Sequence, residues 1–170
     1  MPQVKRKSNP QALANLNKLV RGFKEQELKV GWFESDRYDN AQKTPVAAVA
    51  ARNEFGSQED NIPPRPFMRP TIKRRQKEWA KFIQQGSKRI LAGSASVAQI
   101  LETLGLNTSG EIGRSIEQVY SPPLAEATIK ARIRKRANKQ AVGNLDKPLV
   151  DFGIMQKSVT YTVSKDANTR

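Results

Sequence analysis

The chain has 170 residues, 37% of them hydrophobic, with neither cysteine nor histidine. Those counts suit one domain with a modest core, and they exclude disulfides, thiol nucleophiles, zinc sites of the usual Cys/His kind and the commonest general base. Thirty basic and sixteen acidic residues leave a net charge of +14, an excess that favours a polyanion or an acidic protein surface as partner.

Residues 1–8 are expected to form a flexible basic arm, followed by a single α+β domain over 9–170. No apolar run follows the basic start, so no secretory leader is expected. No segment approaches the ~20 apolar residues of a membrane span, so no membrane partner is expected. Asn9-Pro10 is a capping residue followed by a proline suited to the first helical position. Leu13, Leu16, Leu19, Val20 and Phe23 then recur at helical spacing to about Gln26. Leu28, Val30 and Trp32 alternate with Lys29, Gly31 and Phe33 as in a half-buried strand, with Gly31 marking a possible bulge. A polar loop over 34–43 leads to a second cap-plus-proline pair, Thr44-Pro45. A short helix follows, with Val46, Val49, Ala50 and Asn53 on one face and Gly56 as its stop.

Ile62-Pro63-Pro64-Arg65-Pro66 is too proline-rich for helix or central strand, so it is extended. Thr71 opens the longest helical pattern, with Met68, Ile72, Trp79, Ile83 and Ile90 on one stripe, Phe82 and Leu91 beside it, and Gly93 as its stop. Two shorter helices are expected next, one from Ser96 to about Gly105 and one from Ser109 to Val119. Thr128–Ala137 is a thin helical pattern around Ile129 and Ile133, and 138–147 is a polar loop. Asp151 is placed to cap a single turn, Phe152 to Lys157. Val159, Tyr161 and Val163 alternate as a strand. The fold class is therefore α+β: a small antiparallel sheet packed with one long helix and several short ones. Two strands cannot make a stable sheet alone, so an unseen strand or a neighbouring subunit is expected to complete it.

No catalytic constellation is visible. Asp36 and Asp39, like Glu59 and Asp60, could hold Mg2+ only if something fixed them, and both pairs sit in polar loops. Neither a Ser-x-x-Lys nor a Gly-rich phosphate loop occurs. The reading is of a protein that is not an enzyme and takes no cofactor. The charge is uneven: residues 67–93 hold eight basic side chains and one acidic. Lys73, Arg74, Lys77, Lys81 and Lys88 fall away from the apolar stripe of the long helix. Arg132, Arg134, Lys135 and Arg136 form a second basic group. These two groups are a candidate basic surface for DNA or for a partner protein. A solvated amphipathic face, whose lysine stems cover apolar neighbours, is the bland alternative. Non-specific DNA binding through these helices is the alternative function.

Two segments resemble a known family. The first is Val46-Ala-Ala-Val-Ala-Ala-Arg-Asn-Glu-Phe-Gly56 with Ile62-Pro-Pro-Arg-Pro-Phe-Met-Arg-Pro70. The second is Leu124-Ala-Glu-Ala-Thr-Ile-Lys130 with Lys147-Pro-Leu-Val-Asp-Phe-Gly-Ile-Met-Gln-Lys-Ser-Val-Thr-Tyr-Thr-Val163. In composition and order they resemble the virion-morphogenesis, or tail-completion, proteins of tailed phages; Phe152 stands where that family usually has threonine. The resemblance implies a structural virion protein of the neck, assembled in the host cytoplasm. It would form a ring, six-fold to match the tail, between the head connector or adaptor proteins and the tail terminator or tube proteins. Viral DNA would pass through its centre. Pro63, Pro64, Arg65, Pro66 and Phe67 are then candidate subunit or partner-ring contacts. So are Asp151, Phe152 and Gly153. For the first group a stiff connector packing Phe67 on its own core is an equal alternative, and for the second a plain entry to the last strand. Basic residues facing a partner ring rather than the lumen would let DNA slide.

Overall fold

The computed structural model describes residues 9–136 and 145–165. Six helices and two strands follow in order: α1 Pro10–Glu25, β1 Gln26–Gly31, α2 Val46–Phe55, α3 Met68–Leu91, α4 Val97–Glu117, α5 Glu126–Arg136, α6 Ile154–Lys157 and β2 Thr160–Lys165. The strands pair as a two-stranded antiparallel sheet. The α+β class with one dominant long helix is the class expected. The basic arm at 1–8 and most of the loop expected at 138–147 lie outside the described residues.

The chain divides into two compact units. Unit 1 comprises residues 1–29, 77–105 and 162–170, and unit 2 comprises 30–76 and 106–161. Each has its own core. In unit 1, Ile90, Val97, Ile100 and Leu101 are buried, with Leu19, Phe23, Leu28, Phe82 and Ile83 packed against them. Gly22 lets α1 come close to α4: a Cβ there would lie 2.6 Å from Val97 Cγ2. Gly86 does the same for α3 on α4, where a Cβ would lie 2.6 Å from Ile100 Cγ2. Replacing Gly86 by alanine is therefore expected to lower stability. Overpacking at a buried isoleucine costs ~1–3 kcal/mol and outweighs the ~1 kcal/mol that alanine gains in a helix. Gly110 in α4 is the control: it is exposed, and a Cβ there meets no atom closer than 4.0 Å. Gly110→Ala should raise the thermal midpoint where Gly86→Ala lowers it, and calorimetry reads both.

Unit 2 is built on Val46, Ala50, Phe67, Ile112, Ile116, Leu149 and Met155. Phe67 is 1% exposed, and its ring meets Trp32 edge-on at 5.9 Å. The Trp32 indole N–H donates to the Met155 carbonyl at 2.8 Å, so the half-buried tryptophan packs on the core without stranding its polar end.

The chain-order expectations fare unequally. Asn9 caps α1 as expected, its Oδ1 accepting from the amides of Gln11 and Ala12. Gly93, at φ 75°, ends α3 by a reverse turn. Its amide donates to the Ile90 carbonyl and that of Ser94 to Arg89, the paired bonds that satisfy the last carbonyls of a helix. The strands sit within two residues of their expected places.

Other boundaries move. The two helices expected over 96–105 and 109–119 are one helix, α4. Gly105 does not stop it, because the buried stripe runs on through Leu101, Gly105, Thr108 and Ile112. A helical glycine costs only ~1 kcal/mol against that packing. Ser109 does not cap; its hydroxyl donates to the Leu106 carbonyl within the helix. α3 begins at Met68, before Thr71, whose hydroxyl donates back to the Phe67 carbonyl at 2.7 Å. Ile72, placed on the apolar stripe, and Leu91, placed beside it, are 44% and 38% exposed; Thr71 and Gly86 take buried positions. Thr44 does not cap α2, whose cap position Pro45 occupies. Thr44 instead exchanges hydrogen bonds with Asn40 across the preceding loop. Asp151 does not cap α6. Gly153 holds the cap position with no side-chain bond, and Asp151 lies 3.6 Å from Arg132 Nε.

Candidate interaction surfaces

The proline-rich strap at 62–67 is held from within unit 2. Gly56 ends α2 at φ 80°, and a Cβ there would lie 2.9 Å from the Ile62 carbonyl oxygen, so only glycine lets the chain turn back so tightly. The Arg65 amide donates to the Asn53 carbonyl at 2.7 Å. The Arg65 guanidinium, 5% exposed, donates to the carbonyls of Pro122 and Pro123 at 2.6 and 2.8 Å. Proline carbonyls suit this role, having no amide of their own drawn into a ladder.

Glu54 closes the arrangement. It is 4% exposed, and it accepts from four donors: the amides of Phe67 at 2.7 Å, Met68 at 2.9 Å and Arg69 at 3.0 Å, and Arg69 Nε at 2.9 Å. The first turn of α3 has Pro70 at its third position, so these three amides are the donors that a helix start leaves unpaired. Phe67, at the cap position, has no side chain that could accept from them. A carboxylate thirteen residues upstream does so instead, and its charge also favours the positive helix end. Burial pushes the Glu54 carboxyl up, but the hydrogen bonds from Met68, Arg69 and Phe67 outweigh it and hold the group below the usual carboxylate range.

Arg132 organises the second motif. It is 8% exposed, and its Nη1 donates to the carbonyls of Leu145, Lys147 and Val150 at 3.2, 2.7 and 3.3 Å. Its Nη2 donates to the Pro148 carbonyl at 3.2 Å. Glu111 makes a third polar tie, accepting from Arg75 Nε and Nη2 at 2.8 and 2.9 Å and from Arg114 at 3.0 Å.

The candidate contact residues therefore separate. Arg65, Phe67 and Gly153 are buried within unit 2, so the stiff-connector reading fits Arg65 and Phe67, whose side chains are spent inside the chain. Pro63, Pro64, Pro66 and Phe152 are exposed, and Asp151 is half-buried beside Arg132. Sequence reasoning passed over Phe55, which is 66% exposed next to the strap and lies under the Arg69 guanidinium at 4.7 Å. It also gave Glu54 no role. The signal for Glu54 was a helix start without a capping side chain of its own.

The basic group separates too. Lys73, Arg74, Lys77, Lys81 and Lys88 are all exposed along α3, and Arg134 is exposed on α5. Arg132 is withdrawn from the surface by its carbonyl cage. The side chains of Lys135 and Arg136 fall outside the described residues. The loop acids shape turns: Asp36 accepts from the Phe33 amide at 2.8 Å, Asp39 pairs with Lys43 and Asp60 accepts from the Ser57 hydroxyl. Among the described residues no three Asp or Glu side chains gather as a metal site, and no helix is long and apolar enough to cross a membrane. Comparison of the chain with protein-family models, with curated proteins and with solved structures finds no match.

Proposed function

We propose that the chain is a structural subunit of a tailed-phage neck, joining the DNA-filled head to the tail as part of a ring. One observation carries this reading. The two segments that resemble the tail-completion family are fastened by buried arginines in unit 2. Arg65 of the first segment holds the carbonyls of Pro122 and Pro123, next to the start of the second at Leu124. Arg132 holds the carbonyls of its later part. The motif residues thus build a stiff scaffold, while Pro63, Pro64, Pro66 and Phe55 remain outward for a partner. Rigid apolar side chains of this kind suit a protein interface, since little conformational freedom is lost on docking.

In this reading the subunit acts by geometry: its body frames a channel and its outward straps clasp the adjoining subunit or ring. Gene deletion in the producing phage should leave filled heads and separate tails, and antibody labelling should mark the neck of complete particles. Normal joining without the gene, or a chain that stays monomeric and is missing from virions, would remove the proposal. Replacing Phe55 by serine should reduce joining while leaving the isolated chain folded.

A further inference from the structure

Unit 1 contains a feature that the neck reading does not use. An open groove of about 1320 Å3 runs between α1 and the Gly93–Gln99 segment that begins α4. Lys18, Arg21 and Lys24 line it from α1, and Ser94 and Ser96 from the facing turn. Among the described residues, Glu25 is the one carboxylate on its walls, and no aromatic ring lines it. The volume exceeds the ~300–1,000 Å3 usual for small-molecule sites, which suits a length of polymer.

We propose that this groove holds the phosphate backbone of double-stranded DNA. Charge is the first argument. Unit 1 carries thirteen basic and five acidic residues in its sequence, against seventeen and eleven in the larger unit 2. Three of those cations project from successive turns of α1, about 4.5 Å apart along its axis, so they follow a strand of phosphates rather than converging on one anion. The second argument is the lining. Lysine, arginine and amide side chains are usual partners of phosphate oxygens, and they read no sequence. The absence of aromatic lining disfavours single strands, which stack their bases on such rings.

The inference does not depend on the neck reading, and its test reads the purified full chain alone. A fluorescent 30-base-pair duplex of arbitrary sequence is titrated at several salt concentrations. The variant Lys18→Gln/Arg21→Gln/Lys24→Gln is compared with Lys73→Gln/Arg74→Gln/Lys77→Gln, which removes the same charge from α3. The groove variant should bind ~10–100-fold more weakly near 0.1 M salt and lose about 2–3 units of the log–log salt slope, since each phosphate contact contributes ~0.9. The α3 variant should retain most of the slope. Equal losses in the two variants overturn the assignment of the groove, and no duplex binding by the wild type overturns the site. Binding of an acidic polypeptide such as polyglutamate in preference to the duplex also overturns it. Lysine acetylation of the wild type, with and without duplex, gives an answer independent of any variant's folding. Duplex should protect Lys18 and Lys24 more than Lys73 and Lys77, and unchanged labelling of Lys18 and Lys24 counts against the groove.

Discussion

Glu54→Ala is expected to cost unit 2 about 3–5 kcal/mol, the range for removing one member of a buried, hydrogen-bonded charge pair. The change strands the amides of Phe67, Met68 and Arg69 at the start of α3. An unsatisfied buried donor costs ~1–3 kcal/mol, and water reaching the site beside the half-exposed Arg69 recovers part of that. Total stabilities are only ~5–15 kcal/mol, so the urea midpoint should drop by a large fraction of its value. Glu54→Gln keeps an acceptor for one or two amides but loses the charge, and should fall between alanine and wild type. The pH dependence has a definite sign. The folded carboxyl titrates below its ordinary value of 4.5, so its stabilisation is complete above that pH and is lost as pH falls below it through the folded value. Glu111 is lowered as well, its burial outweighed by Arg75 and Arg114, and adds to the same acid loss. Glu54→Gln should therefore flatten the stability profile below about pH 4.5. An unchanged acid limb, or an alanine variant as stable as wild type, would show that Glu54 does not hold α3.

Arg132→Ala should cost about 3–4 kcal/mol, because it releases four carbonyls and leaves Asp151 without this guanidinium. Arg132→Lys is not a conservative change here. An ammonium is a point charge and cannot span carbonyls on two sides as a planar fork does, so it should recover less than half of the loss. A local readout separates this from general weakening. Leu149 is 7% exposed in the wild type, and chymotrypsin should cut after it in both variants at urea concentrations where the wild type resists. The exposed Arg134→Ala should stay within about 0.5 kcal/mol of wild type. If Arg132→Lys matches wild type in both measurements, the carbonyl cage is not what holds the 145–151 segment.

These two residues show why some of the molecule could be read from sequence and some could not. The class of each long helix was legible because amphipathic periodicity is local: α1 with its Asn9 cap, α3 with its Gly93 stop, and both strands follow from residues within a few positions. Glu54 and Arg132 act on backbone groups thirteen or more residues away, and a one-dimensional pattern holds no trace of such bonds. Arg132 looked like surface charge because arginine within a basic run is usually solvated. It is buried because a loop of carbonyls, those of Lys147 and Pro148 among them, needed a donor. The split of α4 into two helices failed for a related reason. Gly105 and Ser109 are breakers only when nothing packs against the helix on both sides of them.

Composition and periodicity by themselves determined that the chain is a basic α+β protein with one dominant helix and a proline-stiffened strap. Those properties depend on side-chain type and spacing along the chain. Tertiary structure decided which charges are available. It buried Glu54, Arg65 and Arg132 among unpaired backbone groups and left Lys73, Lys77 and Lys81 in solvent, because an ion can leave water only where hydrogen bonds replace its hydration. It also set Lys18, Arg21 and Lys24 along one groove, a juxtaposition with residues seventy positions away that no local pattern encodes.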